Sequence, residues 1–405
     1  MERLRNNMKK SSSSLLPLGL LNFFIYGTMV IFTAYFQLYL QDIGLDKLEI
    51  GSLMAIGPFV SLLAHPFWRY WSDREGNLKN TLLFIMIGLL IMIQLVFKVN
   101  TYHMLYFSMI LLYFFQSPLL SQTNSLILGY VDGTEKKFRK YRFWGSLGWS
   151  FVALAAGPII DSVGHNGLSL LFSIMLLMAI GSTLVLPKVK HATITPWLKT
   201  ADISRTLHNR YFISFIIFGL LVAIPNSINT TFMPLFISDL GGSRLQVGGA
   251  IFVSTLFEVG VFWLLKRYLK HKITYLMACI TLVSLLFALR WYLMALATTP
   301  KEIILIQVLH AVTFGGFFYV GTQLTALFLP RPSRSSGQAV FAFALSGVAA
   351  ILAGFLGGWI FQNLGAIIMY KAGSILTLCG AAGFGAMWYR IHKNGYSPGM
   401  IHKEP

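Results

Sequence analysis

The sequence contains few charged residues and very few acidic ones. Of its 405 residues, 11% are charged and only 14 are Asp or Glu, whereas a soluble domain carries about 25% charged residues. Hydrophobic residues make up 56% of the chain, and the mean hydropathy is +0.67. This scarcity of charge excludes an ordinary soluble protein and indicates an integral membrane protein.

Cysteine is also scarce. Only Cys279 and Cys379 are present, and both fall in apolar stretches. The sequence therefore predicts no disulfide, no metal cluster and no cofactor. We expect no enzyme either, because no apolar stretch combines a nucleophile with a general base.

Long apolar runs dominate what is present. Runs of about 20 residues, enough to cross a hydrocarbon core of about 30 Å, predict an all-α membrane protein with twelve transmembrane helices. The expected spans are roughly residues 15–40, 48–71, 81–97, 103–131, 142–163, 168–186, 212–238, 245–265, 273–296, 301–329, 339–361 and 366–389. A long polar stretch between the sixth and seventh spans predicts a cytoplasmic linker over residues 188–210. It divides the chain into a six-helix bundle over residues 1–187 and a second six-helix bundle over 211–405.

The net charge of +18 could indicate nucleic-acid binding, but the placement of the charges argues against it. With the amino terminus in the cytoplasm, 24 of the 32 Lys and Arg residues fall in cytoplasmic segments. This asymmetry follows the positive-inside rule and places both termini in the cytoplasm. We expect a monomeric, multi-pass protein of a bacterial plasma membrane, with the lipid bilayer and no nucleic acid as a partner.

The two expected bundles repeat a short motif. Lys47 to Ser52 opens the second span and Arg244 to Gly249 opens the eighth, each with a basic, an apolar, a polar, an apolar, a glycine and a small residue in that order. Repeated halves of this kind place a binding site near the membrane midplane, at the interface between them.

Ionisable side chains inside a membrane are costly and usually mark a substrate or ion path. Glu258 is the only acidic residue deep in an expected span, and Arg290 and His310 lie in the ninth and tenth spans. Burial favours a neutral carboxylate and a nearby arginine favours a charged one, so rearrangement of such groups could load and release a proton. We predict that these three residues share a buried network for proton coupling. A fixed ion pair that holds the second bundle together is the alternative.

A second group of residues enters the fifth span. Gly145 and Gly148 allow close approach of another helix, and Arg142 and Trp149 lie two helical turns apart on roughly one face. Arginine can hydrogen-bond a carboxylate or a hydroxyl pair, and an indole can stack on a sugar or aromatic ring. We predict substrate binding here, with an interfacial arginine and a lipid-facing tryptophan as the alternative.

Polar side chains also follow helical spacing on the first and seventh spans. Candidates for substrate contact are Asn22 and Tyr26 on the first span, and Asn226 and Asn229 on the seventh. Hydrogen bonding between helices explains these rows of polar side chains equally well.

The turn after the second span contains Asp73, Arg74 and Gly76. It resembles the loop signature of the major facilitator superfamily, in which the acid caps a helix end and pairs with a basic neighbour across the two halves. Positive helix ends favour a carboxylate. The resemblance implies a gating role for these three residues, and an ordinary charged turn is the alternative.

A narrower resemblance is to the lactose-permease and phenylpropionate-permease group of this superfamily. It is loose over the whole chain and sharp at the stretch from Arg142 to Trp149, at Glu258, at Arg290-Trp291 and at Gln307 to His310. In that group, the residues matching Glu258, Arg290 and His310 serve substrate and proton, and those matching Arg142 and Trp149 contact sugar in the lactose-type members. The resemblance therefore implies proton symport.

Three departures limit the comparison. Asn124 stands where lactose permeases carry an acid that works with the fifth-helix arginine, so we count it as a candidate substrate contact. Thr313 replaces a glutamate, and Gln307 replaces a lysine. These changes argue against lactose, and an unpaired Arg142 would accept an anionic ligand.

Taken together, the sequence predicts a secondary transporter that imports a small sugar-like or aromatic organic solute with protons, by alternating access to one central site. A proton-driven exporter or a lipid or drug flippase is the alternative within carriers. A channel or a signalling receptor is an alternative of a different class, and saturable flux with counterflow would distinguish a carrier from a channel.

Overall fold

The computed structural model describes residues 16–99, 101–131, 138–164, 166–187, 204, 206–269 and 271–396. Eleven helical segments in these ranges are long and apolar enough to cross a membrane. We number them α1 (Leu16–Asp42), α2 (Lys47–Glu75), α3 (Leu78–Lys98), α4 (Tyr102–Val131), α5 (Phe138–Val163), α6 (Gly167–Val185), α7 (Arg210–Asp239), α8 (Arg244–Tyr268), α9 (Ile273–Leu296), α10 (Pro300–Phe328) and α11 (Arg331–Asn394). The prediction of an all-helical membrane protein is confirmed. Most of the expected linker, residues 188–203 and 205, lies outside the described residues.

The last segment, α11, differs from the others in length. It has 64 residues and is interrupted at Gly365, where φ is 82° and ψ is 166°. An L side chain rarely adopts this backbone conformation, so glycine is required at the bend. The two expected last spans, 339–361 and 366–389, fall on the two arms of α11 on either side of this bend.

The outer surface of the described helices is strongly apolar. Large hydrophobic side chains are widely exposed there, including Leu63 at 76%, Val185 at 72% and Leu305 at 72%. Contiguous apolar surface of this kind is rare on soluble monomers. It fits helices whose outer faces contact lipid hydrocarbon.

The repeated sequence motif has the same local structure in both copies. Asp46 caps α2 and forms a reciprocal pair of hydrogen bonds with Glu49, and Ser243 caps α8 in the same way with Gln246. Each capping box satisfies two backbone amides at the start of its helix. The short repeat found in the sequence is therefore also a structural repeat.

Several of the long helices are irregular inside the membrane-sized region. Non-helical backbone at membrane depth is tolerated where it is buried in protein or lines a cavity, and π-turns often occur at functional sites. The interruptions lie at Ser117–Pro118 in α4, at Phe257 in α8 and at Gln307 in α10, and π-turns span Ala311–Gly315, Ala344–Val348 and Ala353–Gly357.

Candidate functional site

Three side chains from α1 and α5 form one surface in the first half of the chain, α1–α6. The guanidinium carbon of Arg142 lies 5.5 Å from the ring centroid of Tyr26, and the Trp149 ring lies edge-on to the same ring at 6.5 Å. Close approach of the helices makes this possible, since a Cβ on Gly148 would lie 2.1 Å from the carbonyl oxygen of Phe23. The predictions that Arg142 and Trp149 share a face and that Gly148 admits a close helix are confirmed.

Glu258 lies on α8, in the second half of the chain, α7–α11, beside Gly315 of α10. Its carboxylate is half-buried and interacts electrostatically with Arg142. Near this point the two halves are joined by a 2.8 Å hydrogen bond between the hydroxyls of Ser150 on α5 and Thr255 on α8. Tyr26, Arg142, Trp149 and Glu258 are called the central cluster below.

The backbone around Glu258 is interrupted. Residues Arg244–Leu256 and Glu258–Tyr268 form separate helical pieces joined at Phe257, so Glu258 is the first residue of the second piece. Interrupted helices near the midplane form the substrate and ion sites of many secondary transporters. Sequence reasoning missed this break, for which nearby Gly260 is the only local signal.

Arg290 lies in a second polar cluster, inside the second half. Its side chain is fully buried and donates hydrogen bonds to Gln307 Oε1 at 2.5 Å and Thr313 Oγ1 at 3.4 Å. Its guanidinium carbon lies 4.6 Å from the ring centroid of Trp291, and it interacts electrostatically with His310. Arg290, Trp291, Gln307, His310 and Thr313 are called the Arg290 cluster.

The structure therefore divides the three residues expected to share one network. Arg290 and His310 interact with each other, whereas the charge acting on Glu258 comes from Arg142 on the other half. No hydrogen bond or ion pair connects Glu258 to Arg290 in the described part of the chain. Among the described residues no hydrogen bond or ion pair joins all three side chains in one network, and their shared role in proton coupling stays a prediction.

The four candidate asparagines have different surroundings. The amide of Asn22 is buried and donates a 2.7 Å hydrogen bond to the carbonyl of Tyr141, and Asn229 accepts a 3.1 Å hydrogen bond from the Tyr370 hydroxyl. The side-chain carbonyls of Asn22, Asn124 and Asn226 are buried without a hydrogen-bond partner among the described residues. The geometry thus gives the Asn22 amide nitrogen a structural role between α1 and α5 and leaves an acceptor free on each of these three side chains.

Replacing Asn22 by alanine is expected to destabilise the protein by about 1–3 kcal/mol, because the buried Tyr141 carbonyl would lose its donor. The KM for transported solute should stay unchanged in the folded fraction. Thermal unfolding in detergent and uptake kinetics would measure the two effects. Asn226→Ala is the matched control and should cost little stability, and a raised KM at normal stability for Asn22→Ala would show that Asn22 contacts solute.

At the turn after α2, the helix ends are not capped by Asp73, as the resemblance implied, but by other residues. α2 ends at Gly76, whose φ is 64°, and the side chain that caps α3 is Asn77, which accepts two backbone amide hydrogen bonds. Asp73 instead lies exposed in the last turn of α2, and the described residues provide no hydrogen bond or ion pair for it. The described residues do not show the expected capping and pairing by Asp73, and a gating role for Asp73, Arg74 and Gly76 stays a prediction.

Two groups of charged residues join the halves where α1 meets α2 and α7 meets α8, which we call the α1–α2 end. In the Arg244 clamp, Arg244 of α8 contacts Asp42 of α1 at 2.5 Å and also contacts Asp161 of α5. In the Lys47 clamp, the ammonium of Lys47 contacts Asp239 of α7 at 2.8 Å, and the Lys47 amide donates to Gln362 Oε1 at 3.0 Å.

The two clamps are related by the sequence repeat. Lys47 and Arg244 open the repeated motif, and Asp42 and Asp239 each lie five residues before them. Each half therefore supplies one cation and one repeat-related carboxylate to the other half, and the first half adds Asp161. Sequence reasoning found the motif but missed the clamps, although the equal spacing of the two aspartates was a readable signal.

Glycines bring the backbones of the two halves together beside each clamp. A Cβ on Gly51 of α2 would lie 2.1 Å from the Gly354 carbonyl oxygen of α11, and a Cβ on Gly248 of α8 would lie 2.1 Å from the Ala153 carbonyl oxygen of α5. Gly51 and Gly248 occupy the same position of the repeat. The α1–α2 end is thus tightly closed in this structure.

A helical membrane protein whose repeated halves close around a polar cluster has the construction of a membrane transporter. The model of the MFS_1 like family matches residues 15–372, and the chain belongs to that family. The prediction that it is a major facilitator transporter, and not an enzyme, is confirmed.

Two curated relatives are similar over most of their length. The chain is 23% identical over 359 residues to the uncharacterized transporter YwbF of Bacillus subtilis, covering 86% of each protein. It is 23% identical over 361 residues to the maltose permease of Geobacillus stearothermophilus, covering 88% of this chain and 90% of the permease.

Solved structures show the same fold at low sequence identity. A crystal structure of the nucleoside transporter NupG matches with a TM-score of 0.81 at 18% identity, covering 92% of this chain and 99% of NupG. A structure of the peptide transporter POT with alafosfalin matches with a TM-score of 0.74 at 12% identity, covering 94% and 95% of the two chains.

Proposed function

We propose that the protein is a proton-coupled symporter of the bacterial plasma membrane, and that it imports a small sugar-like or aromatic organic solute by alternating access. The observation that carries this proposal is the central cluster. It joins a cationic, aromatic surface on α1 and α5 to a half-buried carboxylate on α8, across the two halves of the chain.

The proposed topology has twelve crossings in two six-helix bundles, residues 1–187 and 211–405, joined by a cytoplasmic linker. A straight helix of 64 residues would be about 96 Å long, roughly three times the hydrocarbon thickness. The bend at Gly365 supports two crossings within α11. An even number of crossings leaves both termini on one side, and the distribution of Lys and Arg favours the cytoplasm.

In this topology the α1–α2 end is extracellular. Both clamps and the close glycine contacts lie at that end, which supports a state closed to the outside. Asp73 lies at the opposite end of α2 without a partner among the described residues. Alternating access then requires the clamps to open while the cytoplasmic ends of the halves come together.

The chemistry of the cluster supports the proposed solute class. Arg142 offers up to five N–H donors in a planar arrangement, and its side chain is exposed to the interface. The rings of Tyr26 and Trp149 provide faces for a flat or sugar ring. The relatives named maltose permease and nucleoside transporter support a solute that combines a ring with hydroxyl groups.

Glu258 is the group that we propose to carry the proton. It is the only acidic residue deep in an expected span, and Arg142 supplies the charge that acts on it. A solute that takes the hydrogen bonds of Arg142 changes the electrostatic field at Glu258 and therefore its affinity for a proton. Solute and proton binding would be coupled through this contact.

Uptake into energised membrane vesicles tests the proposal. Sugars, nucleosides and aromatic acids would be screened as radiolabelled solutes, with and without an inward proton gradient. We expect saturable accumulation of one class that collapses when a protonophore is added. Accumulation that ignores the pH gradient would contradict symport, and non-saturating flux would indicate a channel.

Arg142→Lys is expected to raise the KM for solute about 10–100-fold. Lysine keeps the charge but loses the planar pair of donors, and a hydrogen bond to a charged group is worth about 1.5–3 kcal/mol. The kinetics of uptake would measure this change. Arg139→Lys, at an exposed arginine on the same helix, is the control and should transport normally. Equal KM values for the two variants would remove Arg142 from the solute site.

A further inference from the structure

Arg290 is a fully buried cation without an anionic partner. Its side chain has no exposed surface, and its two hydrogen-bond acceptors, Gln307 Oε1 and Thr313 Oγ1, are both neutral. All three ion pairs between described residues lie in the two clamps, so none involves Arg290. A guanidinium does not lose its proton in proteins, and a buried charge without compensation is strongly unfavourable.

Unused polar atoms surround this cation. Arg290 Nε, the indole Nε1 of Trp291 and His310 Nδ1 are all buried without a hydrogen-bond partner among the described residues. Two of the three are obligatory donors, because the guanidinium and the indole cannot accept hydrogen bonds. The cluster therefore has an excess of positive charge together with unsatisfied N–H groups, which is the composition of an anion site.

Glu258, the acidic candidate on α8, forms no ion pair with any described residue. Glu258 lies beside Gly315, since a Cβ on that glycine would be 3.4 Å from Glu258 Cγ. Gly315 is five residues beyond His310 on α10, a distance of about 7.5 Å along a helix axis. The charge acting on Glu258 comes from Arg142. Because no ion pair joins Glu258 to Arg290 among the described residues, Glu258 does not neutralise Arg290 by direct contact in this state.

The acceptors that now contact Arg290 belong to an irregular part of α10. Gln307 marks the interruption of that helix, and Thr313 lies in the π-turn Ala311–Gly315. Single π-turns of this kind occur frequently at functional sites. Both side chains that now accept from Arg290 are therefore carried by the irregular segment of α10.

We infer that the Arg290 cluster is a binding site for a small monovalent anion such as chloride. The guanidinium Nε–H and the indole N–H of Trp291 donate to the anion, and the irregular segment of α10 adjusts to admit it. The anion neutralises Arg290 within the second half, at a place distinct from the central cluster. This inference goes beyond the proposed symport and does not depend on the identity of the solute.

Thermal unfolding of the purified protein tests the site without any transport measurement. Chloride would replace gluconate at constant ionic strength and pH, and Tm would be followed by intrinsic fluorescence. We expect a saturable rise of a few degrees with chloride, since a ligand that binds only the folded state stabilises it. Arg290→Met should remove this response, while its Tm in gluconate should be at least that of the wild type, because the uncompensated charge is gone.

Three further variants keep the test decisive. Trp291→Phe removes only the indole N–H and should require several-fold more chloride for the same shift, even if Arg290→Met fails to fold. Arg139→Met is the matched control, because it removes an exposed arginine of α5 that lies outside both clusters and should keep the full response. A wild-type Tm that is equal in chloride and gluconate would overturn the inference, as would a response retained by Arg290→Met or lost in Arg139→Met. A chloride response that appears only in Glu258→Gln would show that Glu258 neutralises Arg290, and would also overturn it.

Discussion

Glu258→Gln is expected to abolish proton-driven accumulation of solute while exchange of solute across the membrane continues. Glutamine keeps the size and hydrogen-bonding capacity of the side chain but cannot carry a proton. A gradient of one pH unit corresponds to about 1.4 kcal/mol, and it can drive about tenfold accumulation by a one-proton symporter. The variant should stop at equal concentrations inside and outside. Parallel measurements of net uptake and counterflow in proteoliposomes would separate the two activities.

Glu302→Gln provides the matched control for this experiment. Glu302 is an exposed acid that completes the capping box at the start of α10, so its replacement should affect stability slightly and coupling not at all. Loss of folding in Glu258→Gln, without any folded protein that exchanges solute, would favour the structural alternative for Glu258. Full accumulation by the folded variant would exclude Glu258 as the proton carrier.

Arg244→Ala is expected to shift the protein toward the state that is open at the α1–α2 end. Arg244 is held by Asp42 and Asp161, which are 46% and 44% exposed, so water screens both contacts. Exposed ion pairs contribute about 0.2–1 kcal/mol each, and a loss of about 1 kcal/mol changes a two-state population about fivefold. Spin-label distances between the α1–α2 and α7–α8 turns would measure the shift.

Lys301→Ala is the control for Arg244→Ala, because Lys301 is an exposed cation in the first turn of α10, at the α1–α2 end, outside both clamps. The effect of Arg244→Ala should shrink at high salt, since exposed charges are screened. Distance distributions that do not differ between Arg244→Ala and the wild type would show that the glycine contacts alone close this end.

The two clamps should also differ in strength. Arg244 contacts two carboxylates, those of Asp42 and Asp161, whereas the ammonium of Lys47 contacts only that of Asp239 among the described residues. Asp161→Asn is therefore expected to reduce the Arg244 clamp to about the strength of the Lys47 clamp. The same spin-label distances would compare this variant with Lys47→Ala.

Local spacing predicted part of the site correctly. Arg142 and Trp149 share a face because seven residues make two turns of a helix, and Gly148 packs against α1 because it has no side chain. The partner of Glu258 was not predictable in this way. Glu258 follows the break at Phe257, and the charge that acts on it lies on α5 in the other half of the chain. Neither feature has a local sequence signal of comparable strength.

The sequence by itself determined that this protein is a helical membrane transporter with repeated halves. A bilayer provides no hydrogen-bonding partners, so each apolar run must satisfy its backbone within its own helix, and a local pattern is then sufficient to identify it. The tertiary structure alone decided which charged side chains contact each other. It pairs the residues of the two clamps, and it leaves Arg290 without an ion pair to Glu258 among the described residues. Such pairings depend on how distant helices cross, and hydropathy and spacing along one helix do not contain that information.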